Sequence, residues 1–155
     1  MVSKSSFREY DIRGIVPDQI NDLAISIIAN AIAAKCKVEK VDELALGRDG
    51  RLSGEDILIS LSRELQALGI NIINVGLVTS PLLYFAAKHL PSKSGVMITG
   101  SHNPKNYNGF KIVINDSPIS GVEILNLVSN DQIISASPGQ EFIKENLMDE
   151  YINEV

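Results

Sequence analysis

The sequence predicts an α/β fold of three layers, α/β/α, built around a mixed, mostly parallel sheet that contains one antiparallel strand. Helical patterns of apolar residues alternate with short apolar segments typical of strands, which predicts parallel strands joined by right-handed crossovers. One further strand segment follows without an intervening helix, which predicts an antiparallel return. The 155 residues, 45% of them hydrophobic, are enough for one globular domain with a buried core.

Three amphipathic helices are predicted from the spacing of apolar residues and from their end signals. The first covers 20–35, where apolar residues recur three and four positions apart. The second follows Ser53, whose hydroxyl can accept from a free N–H of the first turn, and stops at Gly69. The third covers 81–89, with a proline at its first position and Ser80 as its cap.

Strands are predicted where short apolar runs are bounded by turn residues. The three parallel strands are predicted at 43–47, 70–75 and 95–99. The antiparallel return is predicted at 110–114, where alternation points Lys111 away from the apolar face. A further strand is predicted at 9–13, ahead of the first helix.

The pattern weakens towards the C-terminus, where a short helix at 120–129 and a surface loop at 135–140 are predicted. An amphipathic helix is then predicted from apolar residues four apart, namely Ile143, Leu147, Tyr151 and Val155. The chain therefore divides into a domain over 1–140 and a C-terminal helix over 141–155. Because this helix stops in mid-pattern, we expect it to lead toward a second domain of a longer protein.

Composition excludes several classes of protein. The net charge of -5 and the pI of about 5.0 argue against nucleic acid or an anionic membrane as partners, because both require a basic field. The longest apolar stretch, 23–34, is too short to cross a bilayer. The single cysteine, Cys36, has no partner for an internal disulfide and is predicted to be buried. We expect a cytoplasmic protein.

Four loops are predicted to meet at the carboxyl edge of the sheet, where ligands bind in parallel α/β folds. These loops bring Arg13, Arg48 and Arg51 toward the same edge as Ser101, with 78–80 beside them. A serine that faces guanidinium groups is a candidate phosphate site.

The stretch 99–111, Thr-Gly-Ser-His-Asn-Pro-Lys-Asn-Tyr-Asn-Gly-Phe-Lys, is the most unusual part of the sequence. Its Asn, Pro and Gly residues are consistent with a polar loop rich in turns. A serine hydrolase with Ser101 as nucleophile and His102 as base is disfavoured, since adjacent residues of an extended loop point to opposite sides and the Gly-x-Ser-x-Gly elbow is missing. In a third interpretation Ser101 carries a phosphoryl group, whose charge requires several cations. The candidate cations are Arg13, Arg48, Arg51, Lys105 and Lys111.

Three ordered motifs give the sequence a family resemblance. They are Glu-Tyr-Asp-Ile-Arg-Gly at 9–14, Gly-Arg-Asp-Gly-Arg-Leu-Ser-Gly at 47–54, and the stretch 99–111. The sequence resembles the N-terminal domain of the α-D-phosphohexomutases over residues 7–114, most closely the phosphomannomutase/phosphoglucomutase branch. Tyr10 and Gly100 favour this branch over the phosphoglucosamine mutases, which typically begin with Thr-Asp-Gly and have an alanine before the serine.

The resemblance implies an isomerase that interconverts hexose 1-phosphates and hexose 6-phosphates through glucose or mannose 1,6-bisphosphate. Ser101 would carry the phosphoryl group and, as phosphoserine, supply one ligand to Mg²⁺. His102 and Lys111 would assist proton transfer or contact the substrate. The residues expected to bind the phosphosugar are Tyr10, Arg13, Arg48, Arg51 and Asn103.

The family's other metal ligands, its sugar-selecting loop and a phosphate-binding loop lie on three further domains that this sequence lacks. We therefore expect the first domain of a larger enzyme, inactive alone because one wall of a cleft cannot surround the phosphate with metal, cations and substrate. The alternative is a non-catalytic phosphate-binding or regulatory module of the same fold. A nucleotide-binding enzyme is less favoured, because Gly-x-Gly-x-x-Gly and Gly-Lys-Ser/Thr loops are missing.

Overall fold

The computed structural model describes residues 4–128 and 137–154, beginning with a short 3₁₀ turn at Lys4–Ser6. The strands are β1 (Ile12–Ile15), β2 (Glu43–Arg48), β3 (Asn71–Leu77), β4 (Gly95–Ile98), β5 (Tyr107–Ile114), β6 (Ser117–Ile119) and β7 (Glu141–Ile143). The helices are α1 (Asp22–Glu39), α2 (Gly54–Ala67), α3 (Ser80–Lys88), α4 (Gly121–Val128) and α5 (Leu147–Glu154). Of the surface loop predicted at 135–140, residues 135 and 136 lie outside the described residues, and 137–140 form no regular element.

The described strands form one sheet in the order β1-β5-β4-β2-β3-β7, with β6 also paired to β5. Strands β4, β2, β3 and β7 pair in parallel, whereas β5 is antiparallel to β4, β1 and β6. Among the described strands, β5 is thus the one that runs against the others. The predicted mixed sheet with one antiparallel strand is confirmed.

Helices cover both faces of this sheet because the pleat sends alternate side chains to opposite sides. Leu44 and Leu46 of β2 are buried in the cluster that includes α1, α2 and α4, whereas Ala45 is buried in the cluster under α3 and α5. Strand β4 divides in the same way, with Val96 in the first cluster and Met97 in the second. The three-layer arrangement is therefore confirmed.

Helix α1 contributes the largest buried face and carries the single cysteine. Cys36 is fully buried, as predicted, and burial raises the pKa of its thiol to about 12. The thiol therefore behaves as a small apolar group rather than a nucleophile. Within the described residues, every helix is too short or too polar to cross a bilayer.

The helix caps differ from the predicted ones. Helix α1 is capped by Asn21, whose Oδ1 accepts a backbone N–H of the first turn at 2.9 Å. Helix α3 is capped by Thr79 rather than Ser80, because Thr79 keeps an extended backbone and its hydroxyl accepts from the N–H of Leu82 at 3.4 Å. Ser80 already has a helical backbone and forms the first residue of α3.

Ser53 precedes α2 as predicted, but its side chain does not cap the helix. Its backbone is helical, and its hydroxyl instead accepts from Nδ2 of the fully buried Asn108 at 2.9 Å. This hydrogen bond therefore joins the start of α2 to the beginning of β5, just after the loop that connects β4 to β5.

The C-terminal segment is only partly helical. Residues 141–143 form β7, which pairs in parallel with β3, and the helix begins at Leu147. The four-residue spacing from Ile143 to Leu147 suggested one continuous helix, yet Ile143 is exposed on an edge strand while Leu147 is buried against α3. The division into 1–140 and 141–155 stays a prediction, although β7 shares the sheet of the preceding strands.

Candidate functional site

The loop between β4 and β5 lies beside the loop that follows β2. Strands β2 and β4 are neighbours, with Arg48 paired to Ile98, so the residues that follow each strand start side by side. The backbone N–H of Asp49 donates to the carbonyl of Ile98 at 3.0 Å and continues this contact past the strand ends. These two loops therefore meet at the carboxyl edge of the sheet, as predicted.

Ser101 has a left-handed backbone, with φ at 55°, a conformation that is costly for a residue with a side chain. Its backbone N–H donates to Oγ1 of Thr99 at 3.0 Å, and that hydroxyl donates to Oδ2 of Asp49 at 2.6 Å. A path of hydrogen bonds from a carboxylate through a hydroxyl thus holds the backbone of Ser101 in place.

The hydroxyl of Ser101 is buried and has no hydrogen-bond partner among the described residues. His102, the next residue, is exposed and makes no bond to it, so the nucleophile-base pair of a serine hydrolase is not formed. Nδ2 of Asn103 in the same loop is also buried without a partner. Buried polar atoms normally find partners, and two unpaired atoms in one loop indicate a place for a polar ligand.

Arg51 lies in the loop that follows β2 and binds the backbone of the loop of residues 99–107 (the Ser101 loop). Its guanidinium donates to the carbonyl oxygens of Ser101 at 3.0 Å, Asn103 at 2.7 Å, Pro104 at 2.5 Å and Tyr107 at 3.0 Å. Nε of Arg51 also lies 3.7 Å from Oδ2 of Asp49. Arg51 is therefore brought to the predicted place, but its donors face the protein's own backbone.

The other two arginines also have protein partners. Nη1 of Arg48 donates to the carbonyl of Asp49 at 3.2 Å. The prediction that Arg13 belongs to a loop at the end of the strand is wrong, because β1 continues past Arg13 to Ile15. Nε of Arg13 pairs with the buried carboxylate of Asp11 at 2.7 Å.

Lys111 and Tyr10 line a common groove of about 400 Å³ next to β5. Lys111 points away from the buried Phe110 face of β5, as the alternation predicted. Tyr84 lines the same groove, and burial, reinforced by the charge of Asp11, raises the pKa of its hydroxyl. The phenol of Tyr84 therefore stays protonated near neutral pH and can donate a hydrogen bond into the groove.

A metal site is not complete within the part of the chain that the structure describes. Those residues hold no cluster of three or more His, Cys, Asp or Glu side chains suited to a metal. Asp49, the carboxylate that reaches the loop, already accepts from Thr99 and faces Arg51. The hydroxyl of Ser101, unpaired among the described residues, is thus a candidate ligand that these residues do not complete into a metal site.

Asp49, Thr99 and Asn108 shape this site, although the sequence analysis assigned none of them a role. Asn108 is fully buried, and its Oδ1 accepts from the N–H of Gly109 at 2.9 Å. The pairing of the strands is a signal for two of these residues, because Asp49 and Thr99 each follow the last residue of two adjacent parallel strands. The position of Asn108 depends on the return of β5 and has no comparable signal.

The comparisons with known proteins point in one direction. The family model described as phosphoglucomutase/phosphomannomutase, alpha/beta/alpha domain I, matches residues 4–130. Over 157 aligned residues the chain is 40% identical to a phosphoglucomutase from Neisseria meningitidis serogroup B, and over 150 it is 39% identical to a phosphomannomutase/phosphoglucomutase from Pseudomonas syringae pv. tomato. A crystal structure of a phosphoglucomutase/phosphomannomutase family protein from Burkholderia thailandensis covers 99% of the chain, with a TM-score of 0.89 and 32% identity.

The matches cover nearly all of this chain but only part of the relatives. The alignments include 99% and 96% of the chain, and 34% and 32% of the Neisseria and Pseudomonas proteins. They include 35% of the Burkholderia protein. The chain thus spans about a third of the length of the relatives that it matches.

Proposed function

Because the chain belongs to the phosphoglucomutase/phosphomannomutase family, we propose that it is the N-terminal catalytic domain of a phosphohexomutase. The complete enzyme is an isomerase that interconverts hexose 1-phosphates and hexose 6-phosphates. Its other domains supply the groups that this chain lacks, so the chain alone does not turn over substrate. The net charge of -5 disfavours nucleic acid and anionic membranes as partners, and the single cysteine, which has no partner for an internal disulfide, fits a cytoplasmic location.

The observation that carries this proposal is the buried, unpartnered hydroxyl of Ser101. A phosphoryl group on this oxygen brings three strong acceptors to the loop, where Nδ2 of Asn103 is a buried donor without a partner. The left-handed backbone of Ser101 is held by hydrogen bonds at its N–H and its carbonyl, which fixes the point from which the side chain projects, as repeated transfer requires.

The transfer exchanges one oxygen–phosphorus bond for another. The bond from Ser101 Oγ to phosphorus breaks and Oγ takes up a proton, while a sugar hydroxyl forms a bond to phosphorus and loses its proton. In the return step the other sugar oxygen–phosphorus bond of the bisphosphate breaks, Ser101 Oγ bonds to that phosphorus, and the proton of Ser101 passes to the sugar oxygen. His102, which is exposed, and Lys111, which lines the groove with Tyr10, would accept the proton or contact the sugar phosphate.

Two small molecules belong to the proposal. Mg²⁺ would neutralise charge on the transferring group, with phosphorylated Ser101 as one ligand and the remaining ligands from outside this chain. Glucose or mannose 1,6-bisphosphate would be the intermediate and the activator. The phosphosugar would bind along Tyr10, Arg13 and Arg48, with Asn103 at the phosphoryl group.

A chimera tests the proposal. Residues 1–155 replace the aligned N-terminal third of the Neisseria meningitidis phosphoglucomutase, and conversion of glucose 1-phosphate to glucose 6-phosphate is assayed. We expect activity in the chimera, none in the 155-residue chain, and a loss of at least about a thousandfold in Ser101→Ala, because the oxygen that carries the phosphoryl group is removed.

Ser92→Ala is the matched control, because Ser92 Oγ is also buried without a partner but lies before β4 rather than in the Ser101 loop. We expect this variant to retain activity. Thermal unfolding shows whether each chimera is folded. A folded chimera without activity, beside an active parent enzyme, contradicts the proposal and favours a non-catalytic phosphate-binding module.

A further inference from the structure

We propose that Arg51 is a positioning residue, which fixes the loop of residues 99–107 and thereby the direction of Ser101 Oγ, rather than a ligand of the substrate phosphate. The effect on the backbone follows from the structure of this chain alone. Its meaning for catalysis rests on the function proposed above.

Each N–H donor of Arg51 faces an acceptor within the protein. A guanidinium has five N–H donors, two on each Nη and one on Nε. Nη1 donates to Pro104 and Tyr107, and Nη2 donates to Ser101 and Asn103. The remaining donor, on Nε, faces the carboxylate of Asp49 at 3.7 Å. No N–H of Arg51 is left to bind a phosphate unless the loop gives up one of its own bonds.

The loop needs these bonds because its backbone lies outside helices and strands up to Tyr107, where β5 begins. Carbonyl groups in such a segment must find partners elsewhere, and one planar guanidinium supplies them for four residues. The four acceptors run from Ser101 to Tyr107, so the fork of Arg51 ties the turn that carries Ser101 to the residues that lead into β5. A lysine ammonium, which has three donors and no planar fork, cannot reproduce this pattern.

Gly100 supports the same conclusion independently. A Cβ at this position would overlap the guanidinium carbon of Arg51. Since Gly100 has no left-handed backbone, its lack of a side chain serves to make room for Arg51 rather than to permit an unusual φ. Gly50 provides a contrast, because a Cβ there would meet nothing within 4 Å.

Amide hydrogen exchange of the 155-residue chain, followed by NMR, tests the positioning role. In Arg51→Lys we expect the amides of Ser101, Asn103 and Tyr107 to exchange at least about tenfold faster, because several bonds to a charged donor are lost. Amides in the centres of β2 and β4 keep their protection. Arg63→Lys, on an exposed part of α2, is the matched control and leaves the loop unchanged.

The glycine pair gives a second test that leaves Arg51 in the sequence. We expect Gly100→Ala to speed exchange in the same loop amides, because the methyl group displaces the guanidinium, whereas Gly50→Ala does not. Unchanged loop exchange in both Arg51→Lys and Gly100→Ala overturns the positioning role. If Arg51→Lys does not fold, the loop exchange rates of Gly100→Ala decide whether Arg51 has the positioning role.

Kinetics of the chimera separate positioning from binding. If Arg51 positions the loop, Arg51→Lys lowers kcat more than it raises KM, and Gly100→Ala has the same signature. If Arg51 binds the substrate phosphate instead, Arg51→Lys raises KM while loop exchange stays unchanged, which overturns the inference and leaves the proposed function standing. An inactive wild-type chimera contradicts the proposed function alone, because the exchange experiment does not depend on activity.

Discussion

The Ser101 loop (99–107) and the C-terminal segment (141–154) differ in how they are held. The loop has almost no regular structure, yet the side chains of Arg51 and Thr99 bind its backbone, and Asp49 accepts a hydrogen bond from the Thr99 hydroxyl. The C-terminal segment contains a strand and a helix, yet Leu147 is its one fully buried side chain among the described residues. Large apolar side chains on its outer surface are exposed, namely Phe142, Ile143, Met148 and Ile152.

The contrast shows that regular secondary structure and rigidity are separate properties. A helix satisfies its own backbone but gains most of its stability by packing, and α5 packs through little more than Leu147 and the edge-on contact of Tyr151 with Phe85. An irregular loop becomes rigid only when side chains satisfy its backbone groups. The four predictions below test this difference, from the largest expected effect to the smallest.

Alanine at two crowded glycines should distinguish the two ends of the sheet. A Cβ at Gly109 would overlap the carbonyl oxygen of Ile12, and a Cβ at Gly139 would overlap that of Ile70. We expect Gly109→Ala to lower the free energy of unfolding by about 3 kcal/mol, because β1 carries the buried Ile12 and cannot move away without disturbing the core. Gly139→Ala should cost less than about 1 kcal/mol, because β7 at the other end is exposed and can shift. Equal losses in urea denaturation would show that both regions unfold as one unit.

Truncation of Leu147 should release the C-terminal helix without unfolding the sheet. Leu147→Ala removes the buried anchor of α5, and we expect about 2 kcal/mol less protection of α5 amides from hydrogen exchange. Ile152→Ala, on the exposed face, should change stability by no more than about 0.5 kcal/mol. Loss of protection in β2 as well would contradict the independence of this segment.

Removal of the Thr99 hydroxyl should loosen the Ser101 loop by a smaller amount. Thr99→Val deletes the oxygen that accepts from Ser101 and donates to Asp49, and we expect a cost of about 1 to 2 kcal/mol. Thr99→Ser keeps the hydroxyl and is the control. The amide shift of Ser101 together with urea denaturation measures the effect, and equal behaviour of the two variants would rule out a role for the hydroxyl.

The surface ion pair of the C-terminal segment should contribute least. Nζ of Lys144 lies 3.0 Å from a carboxylate oxygen of Glu150, and both side chains are partly exposed. We expect Lys144→Met to cost about 0.5 kcal/mol or less, a difference that vanishes in about 1 M salt. A larger cost that survives high salt would show that this pair, like Arg51, holds its segment specifically.

The order of elements was predictable because it depends on local patterns. Short apolar runs bounded by turn residues located β2, β3 and β4, and the missing helix before β5 identified the antiparallel strand. The errors fall where tertiary contacts compete with local signals. Serine is a common helix cap, but the hydroxyl of Ser53 accepts a hydrogen bond from Asn108 instead of from the first turn of α2. Ile143 lies four residues before Leu147, as in a helix, but it forms part of β7, which pairs with the edge of β3.

The site was predicted more completely in its residues than in their contacts. Arg48, Arg51 and Ser101 come together because parallel strands end at a common edge, and this follows from strand order. The partner of each guanidinium does not follow from strand order, since a phosphate, a carboxylate and a carbonyl are all suitable acceptors. Arg13 lies within β1 rather than in a loop, yet it pairs with Gly109, whose carbonyl accepts from the N–H of Thr99, so it too lies at the carboxyl edge.

The sequence by itself determined the α/β class, the single antiparallel strand and the position of Ser101 at the carboxyl edge. These features depend on periodicity and chain order, which are local and repeat along the chain. Only the tertiary structure decided that Arg51 binds four carbonyls of the Ser101 loop, that Gly100 makes room for it, and that the Ser101 hydroxyl is left unpaired. Hydrogen bonds depend on distances of a few tenths of an ångström between residues far apart in sequence, and no local pattern encodes them.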